Sequence, residues 1–201
     1  HAGANILRGG DGRDTLVGKG GSTYEGGAGD DIIRLSLGAE PGGPTQASGG
    51  DGNDQFHLGL YSPLAGKTTV SGGAGTDTYV PGFGMAVIQA LPDVTITDFA
   101  TGAGGDLIDI GNHEGDNPFD GGAMRLLASG ADTLLQLRLP GTGSYVTMLT
   151  LAGVAPAQVL AANFVGGFDP KGGTTGITLS GTEGPDTLDG MSLDDTLIGL
   201  G

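Results

Sequence analysis

Over the first eighty positions the apolar residues come singly or in pairs. Leu7, Leu16, Tyr24, Ile33, Ala47, Phe56, Val70 and Tyr79 each sit at the centre of a three-residue unit, and glycine-rich stretches divide one unit from the next. Three residues with an apolar centre make a minimal β-strand, and a glycine-rich hexapeptide makes a tight turn. The pattern therefore predicts a stack of very short strands and turns with a thin core. Beyond Pro81 the apolar runs lengthen. Residues 86–90, 94–99, 107–110, 123–128, 133–139 and 145–151 read as strands divided by Pro, Gly, Asn and Asp. Leu135, Leu137 and Leu139 alternate with Leu134, Gln136 and Arg138, and Pro140-Gly141-Thr142-Gly143 then turns the chain into Tyr145-Val146-Thr147-Met148-Leu149, an antiparallel hairpin. Residues 156–164 are predicted as one short helix with Pro156 in its first turn.

The turns of the first segment repeat. GGDGRD (9–14), GGAGDD (26–31), GGDGND (49–54) and GGAGTD (72–77) are four copies of one hexapeptide, and each continues into x-apolar-x to give G-G-x-G-x-D-x-U-x. Two nine-residue units close one coil of about 18 residues, and successive coils stack at strand spacing, about 4.8 Å. Stacking brings each turn against the turn one full coil away. Between two such turns lies a nest of backbone carbonyls with two carboxylates, a cage of roughly six to eight oxygens that suits Ca2+ and is too roomy for Mg2+. The candidate ligands are Asp14, Asp31, Asp54 and Asp77, with the turn glycines Gly10, Gly12, Gly27, Gly29, Gly50, Gly52, Gly73 and Gly75. The turns start 17, 23 and 23 residues apart, close to one coil or one coil plus five, so all four are expected on one edge. At least three Ca2+ ions are expected in a single file there. The opposite edge is expected to be mostly metal-free: Ser22 stands where an aspartate would be needed, and the insertions 35–45 and 58–68 offer only Glu40 as a carboxylate. Asp106, with Asp98, is a candidate to complete a further cage above Asp77, against the alternative of a surface carboxylate. Asp93 and Asp109 read as turn caps.

Composition points the same way. Glycine supplies 44 of 201 residues, aromatic residues only 5%, and the formal net charge is −15. Ordering so much glycine costs more conformational entropy than a thin core offsets, and the charge disfavours nucleic acid and anionic membranes while favouring cations. There is no cysteine, so neither disulfides nor thiolate metal sites are available. No run has the length of a membrane span, and HAGANILRGG lacks a signal-peptide pattern, so the chain reads as a piece of a larger one.

The four nonapeptides resemble the RTX (repeats-in-toxin) calcium-binding repeat. A second resemblance covers residues 93–165. Thr95-Ile96-Thr97-Asp98-Phe99 followed by Gly104-Gly105-Asp106-Leu107-Ile108-Asp109-Ile110, then Gly130 to Gln136, Leu151-Ala152-Gly153-Val154 and Asn163-Phe164-Val165, are similar to the segment that follows the roll in serralysin-type proteases and related type I secreted proteins. The resemblance implies an all-β fold: a parallel β-roll (a right-handed calcium β-helix) over 1–80, then a β-rich, sandwich-like antiparallel capping domain over 81–170. From Gly172 the nine-residue steps GGTTGITLS, GTEGPDTLD and GMSLDDTLI make 171–201 the start of a second roll, with Asp186 and Asp195 at the aspartate position but without good partner turns. It also implies export through a type I secretion apparatus, a secreted or cell-surface location, and folding with calcium as part of a larger polypeptide. Two other readings stay open: an adhesive segment of an adhesin or surface-layer protein binding a surface glycan, and an accessory domain of an exported hydrolase.

No catalytic residue is assigned. His113-Glu114-Gly115-Asp116-Asn117 has Asn117 where H-E-x-x-H needs its second histidine, and no G-x-S-x-G occurs. His1, His57 and His113 are isolated in sequence, and Leu107 occupies the last glycine position of a dinucleotide loop at 102–107. Asp169-Pro170 invites comparison with self-processing modules but reads as a turn.

Overall fold

The structure is a computed structural model that describes residues 5–19, 21–36, 44–58, 67–82, 93–111, 117–172, 178–180 and 196–198. The expected strand at 86–90, the loop 113–116, most of both insertions, and Asp186 and Asp195 lie outside the described residues.

Each x-apolar-x unit forms a strand, and the strands divide by turns between two parallel sheets. β1 (Ile6–Asp11), β3 (Thr23–Ala28), β5 (Thr45–Asp51), β7 (Lys67–Ala74) and β9 (Asp93–Ile96) follow one another in the first sheet. β2 (Thr15–Lys19), β4 (Ile32–Ser36), β6 (Gln55–Leu58), β8 (Thr78–Pro81) and β10 (Leu107–Ile108) make the second. The chain crosses between sheets at every turn and pairs with itself one coil later, which is a β-roll. The first sheet does not stop at β9. β13 (Tyr145–Leu151) pairs parallel to β9, and β12 (Asp132–Arg138) and β11 (Met124–Ser129) follow it in antiparallel register. The predicted hairpin is thus β12–β13, and it continues the roll's own sheet. β14 (Thr178–Ser180) and β15 (Thr196–Ile198) pair parallel with Thr178 opposite Thr196, two nine-residue steps apart.

The core carries a central inward file in each sheet, flanked in the second sheet by the buried pair Leu35 and Leu58 and in the first by Val94. Leu16, Ile33, Phe56, Tyr79 and Ile108 stand in register in the second sheet, facing Leu7, Tyr24, Ala47, Val70 and Ile96 in the first. All but Leu7 are buried. The same cluster runs on through Phe99, Met124, Leu135, Leu149, Leu151 and Phe164. Among the described residues no helix is long and apolar enough to cross a membrane.

The predicted helix at 156–164 is instead two 3-10 turns, Pro156–Gln158 and Ala161–Asn163, split by extended backbone at Val159 and Leu160. Side chains compete with the helical ladder. Asn163 Oδ1 accepts the N–H of Leu160 at 3.1 Å and Gln158 Oε1 that of Ala155 at 2.8 Å, while the buried, β-branched Val159 packs into the core. Asp169-Pro170 does open a turn, closed by Gly172 N–H on the Asp169 carbonyl at 3.0 Å.

The edge opposite the hexapeptides is built on buried hydroxyls: Ser22, Thr45 and Thr68 stack in register. Thr45 Oγ1 accepts the Gly21 N–H at 2.8 Å. The equivalent donor for Thr68 would be the nitrogen of Pro44, which has no hydrogen, and Thr68 Oγ1 is left buried without a partner. Thr68→Val should therefore stabilise the chain by about 1 kcal/mol, whereas Thr45→Val, which strands the Gly21 N–H, should cost about 1–2 kcal/mol. Urea unfolding of both variants under one condition checks this, and a Thr68→Val chain that unfolds earlier than the parent contradicts it.

Candidate metal centre

All four hexapeptides lead from the first sheet into the second, so they share one edge. Gly10, Gly27, Gly50 and Gly73 are in register, and the glycines at the second and fourth positions, Gly10, Gly12, Gly27, Gly29, Gly50, Gly52, Gly73 and Gly75, have φ between 101° and 131°. A side chain at Gly27 would collide with the Gly10 carbonyl, so glycine is required for close stacking as well as for its φ. Two hydrogen-bond ladders clamp the turns in opposite directions. The backbone N–H groups of Asp14, Asp31 and Asp54 donate to Oδ1 of Asp31, Asp54 and Asp77, each at 2.8 Å. Running the other way, Asn53 N–H donates to Asp30 Oδ1 at 2.7 Å and Thr76 N–H to Asn53 Oδ1 at 2.8 Å. The sequence reading missed this second ladder, although acceptors at the fifth hexapeptide position were there to be seen.

The remaining oxygens decide what the edge can hold. Oδ2 of Asp14, Asp31, Asp54 and Asp77 is buried in every case and has no hydrogen-bond partner. Each lies beside the first glycine of its own turn. A Cβ on Gly9 would lie 2.8 Å from Asp14 Oδ2 and 2.5 Å from the Gly26 carbonyl oxygen. Gly26 stands likewise between Asp31 Oδ2 and the Gly49 carbonyl, and Gly49 between Asp54 Oδ2 and the Gly72 carbonyl. Among the described residues no three His, Asp or Glu side chains converge on one point. A cation in this file would be held mainly by backbone carbonyls with carboxylate oxygens, a donor set of hard oxygens alone.

Asp98 and Asp106 sit over the fourth turn and are differently occupied. Asp106 is buried, not at the surface, and accepts from Asp77 N–H at 3.0 Å and Ala100 N–H at 2.8 Å. The Asp98 carboxylate reaches Gly72 N–H at 3.0 Å, Gly73 N–H at 3.1 Å and the Ser71 hydroxyl at 2.6 Å. Asp109 caps a turn through Gly111 N–H at 2.9 Å. The loop carrying Asp106 is held by Asn163, a fully buried side chain that accepts from Gly102 N–H and donates to the carbonyls of Ala100, Gly102 and Asp106. Its place as the lone polar residue in Leu160-Ala161-Ala162-Asn163-Phe164-Val165 was the available signal.

No family model and no curated protein matches the chain. Among solved structures it is similar to the solution structure of the AlgE6R3 subunit from the Azotobacter vinelandii mannuronan C5-epimerase, at 23% identity over 90% of this chain and 94% of that one, with a TM-score of 0.42.

Crowding the carboxylates shifts their acidity. Burial, then the charges of Asp106, Asp54 and Asp98, pushes Asp77 up to about 6, against the lowering effect of the Asp54 N–H. Burial likewise raises Asp54, with Asp31 and Asp30 adding to it, and raises Asp106, with Asp98 adding to it. A carboxyl whose folded value lies above its unfolded one stabilises the fold when protonated. That contribution is complete below the unfolded value and is lost as pH rises through the folded value, about 6 for Asp77. His57, lowered by burial and by Arg34, works in the opposite sense, one group against three. In chelator the chain should therefore gain β-structure on acidification from pH 7.5 to 5. A far-ultraviolet circular dichroism signal that weakens over that range contradicts the assignment.

Proposed function

We propose that this chain is an RTX-type calcium-binding roll whose folding is driven by calcium outside the cell, as a structural module of a larger exported protein. The observation that carries the reading is the single file of four buried carboxylate oxygens without hydrogen bonds. A buried anionic oxygen with no donor is costly, and an oxygen-coordinated cation is the partner that fits a site made of carbonyls and carboxylates. Mg2+ fits poorly, because it demands tight octahedral geometry and gives up water reluctantly. On this reading Ca2+ occupies at least the three gaps between successive hexapeptides, with Asp14, Asp31, Asp54 and Asp77 as its charged ligands.

Site formation and folding are then one event. Without metal the like charges repel and the glycine-rich backbone stays unordered. At affinities of about 10⁻⁴ to 10⁻³ M, ordinary for extracellular calcium modules, the sites are empty in a cytosol and filled outside. Passage unfolded through a type I secretion channel, with folding on arrival, follows from that difference. In this scheme residues 1–80 supply the metal file, 81–170 close it, and 171–201 begin a second repeat block with Asp186 and Asp195 as further candidate ligands. The module's contribution is structural, and the activity of the exported protein belongs to its other parts.

Chelated protein should show little β-structure and gain it cooperatively between submillimolar and millimolar Ca2+, with Mg2+ unable to substitute. Asp54→Asn, between two well-formed turns, should raise the calcium midpoint several-fold, whereas Asp93→Asn, on the exposed start of β9, should leave it near the parent value. A circular dichroism spectrum in excess chelator that already equals the calcium form contradicts the proposal.

A further inference from the structure

The fourth hexapeptide is unlike the three below it. Asp14, Asp31 and Asp54 each share the space beside their own turn's first glycine with the carbonyl of the next hexapeptide, Gly26, Gly49 or Gly72. No hexapeptide follows Gly72 in register, because its neighbour strand is β9, with Ile96 opposite Val70. A Cβ on Gly72 would meet Asp77 Oδ2 and, at 2.5 Å, the hydroxyl oxygen of Tyr79. Both side chains are fully buried; Asp77 Oδ2 has no hydrogen-bond partner, and Tyr79 Oη makes none of good geometry, the Gly72 N–H beside it being given to Asp98 Oδ1. Two independent oxygens without a well-formed hydrogen bond, one anionic and one neutral, thus meet where the stacking pattern of the first three turns breaks.

The hydroxyl has no packing role that a phenyl ring would not fill. Tyr79 stands in the inward file with Leu16, Ile33, Phe56 and Ile108, and none of those four carries a polar atom. Its ring stacks on Phe56 at 5.3 Å between centroids and lies 5.9 Å from Phe99, contacts that phenylalanine reproduces. Asp98 and Asp106 add negative charge around the site while their carboxylates are engaged by backbone N–H groups. We propose that the fourth turn holds a cation of its own in a terminal site where Tyr79 Oη takes the place of the missing glycine carbonyl beside Asp77 Oδ2. The site takes a hard divalent cation, Ca2+, and differs from the other three in having a phenol among its ligands. This rests on the calcium reading above.

Tyr79→Phe tests it, with Tyr24→Phe as the comparison, since the Tyr24 hydroxyl lies against Gly18 in β2 and not against a hexapeptide. Bound Ca2+ is counted at saturation by equilibrium dialysis, and the fold of the same samples is read by far-ultraviolet circular dichroism. Tyrosine-sensitised Tb3+ emission supplies a second measure. The expected result is one Ca2+ fewer in Tyr79→Phe than in the parent with an unchanged spectrum, and a larger loss of Tb3+ emission than in Tyr24→Phe. Equal calcium counts in parent and Tyr79→Phe overturn the terminal site and leave the calcium reading standing. A Tyr79→Phe chain with the full count and greater stability identifies the hydroxyl as merely buried. A parent that binds no calcium overturns both readings.

Discussion

Carboxylate oxygens sealed from water without a hydrogen-bond donor are the constraint on which the rest of this molecule turns. The apolar core of the roll contributes one or two inward residues per strand, each worth about 1.5–3 kcal/mol when fully buried. An unpaired buried anionic oxygen costs several kcal/mol, and it recurs once per hexapeptide. The two quantities are of one size and opposite sign. The carboxylate penalty therefore offsets much of what hydrophobic burial contributes, and whatever neutralises the file adds directly to the stability of the roll. The other features of that edge serve the same end. The missing Cβ atoms let carbonyls stand beside carboxylates, and the Oδ1 ladder fixes the carboxylates of Asp31, Asp54 and Asp77 so that Oδ2 has one place to point.

Where the repeat runs out, the chain uses its own donors. Asp98 and Asp106 resemble turn aspartates in sequence, yet their oxygens are met by backbone N–H groups from Gly72, Gly73, Asp77 and Ala100. Asn163 completes this change of partner from sixty residues away, tying the loop of Asp106 to the 3-10 turns that follow the hairpin. β13 then pairs with β9, so the first sheet passes without a break from the parallel coils of the roll into antiparallel strands.

Much of the roll was legible because its information is periodic. The apolar centres of the three-residue units at Leu16, Ile33, Phe56 and Tyr79 marked the inward file, and the 17- and 23-residue spacings placed the four turns on one edge. The strands at 145–151 and around 133–139 were visible from alternation. What could not be read was set by single side chains acting over long separations. The reach of Asp98 to Gly72 and Gly73, and of Asn163 to the loop at 100–106, leaves no period behind it. The helix at 156–164 failed for a related reason: its composition permits a helix, and the capture of the Leu160 N–H by Asn163 forbids one.

The two edges of the roll also differ in what they allow the chain to become. On the carboxylate edge, three residues join the strands of the two sheets in each of the four coils that carry a hexapeptide, and side chains at the stacked glycines would strike the neighbouring turn. On the far edge, coils of 17 and 23 residues meet in the same register, so a six-residue difference in length is absorbed without displacing one strand pair. That edge is a splice point. Closing a longer loop there costs little extra entropy, so coil length is free to vary on that edge while the strands keep their spacing.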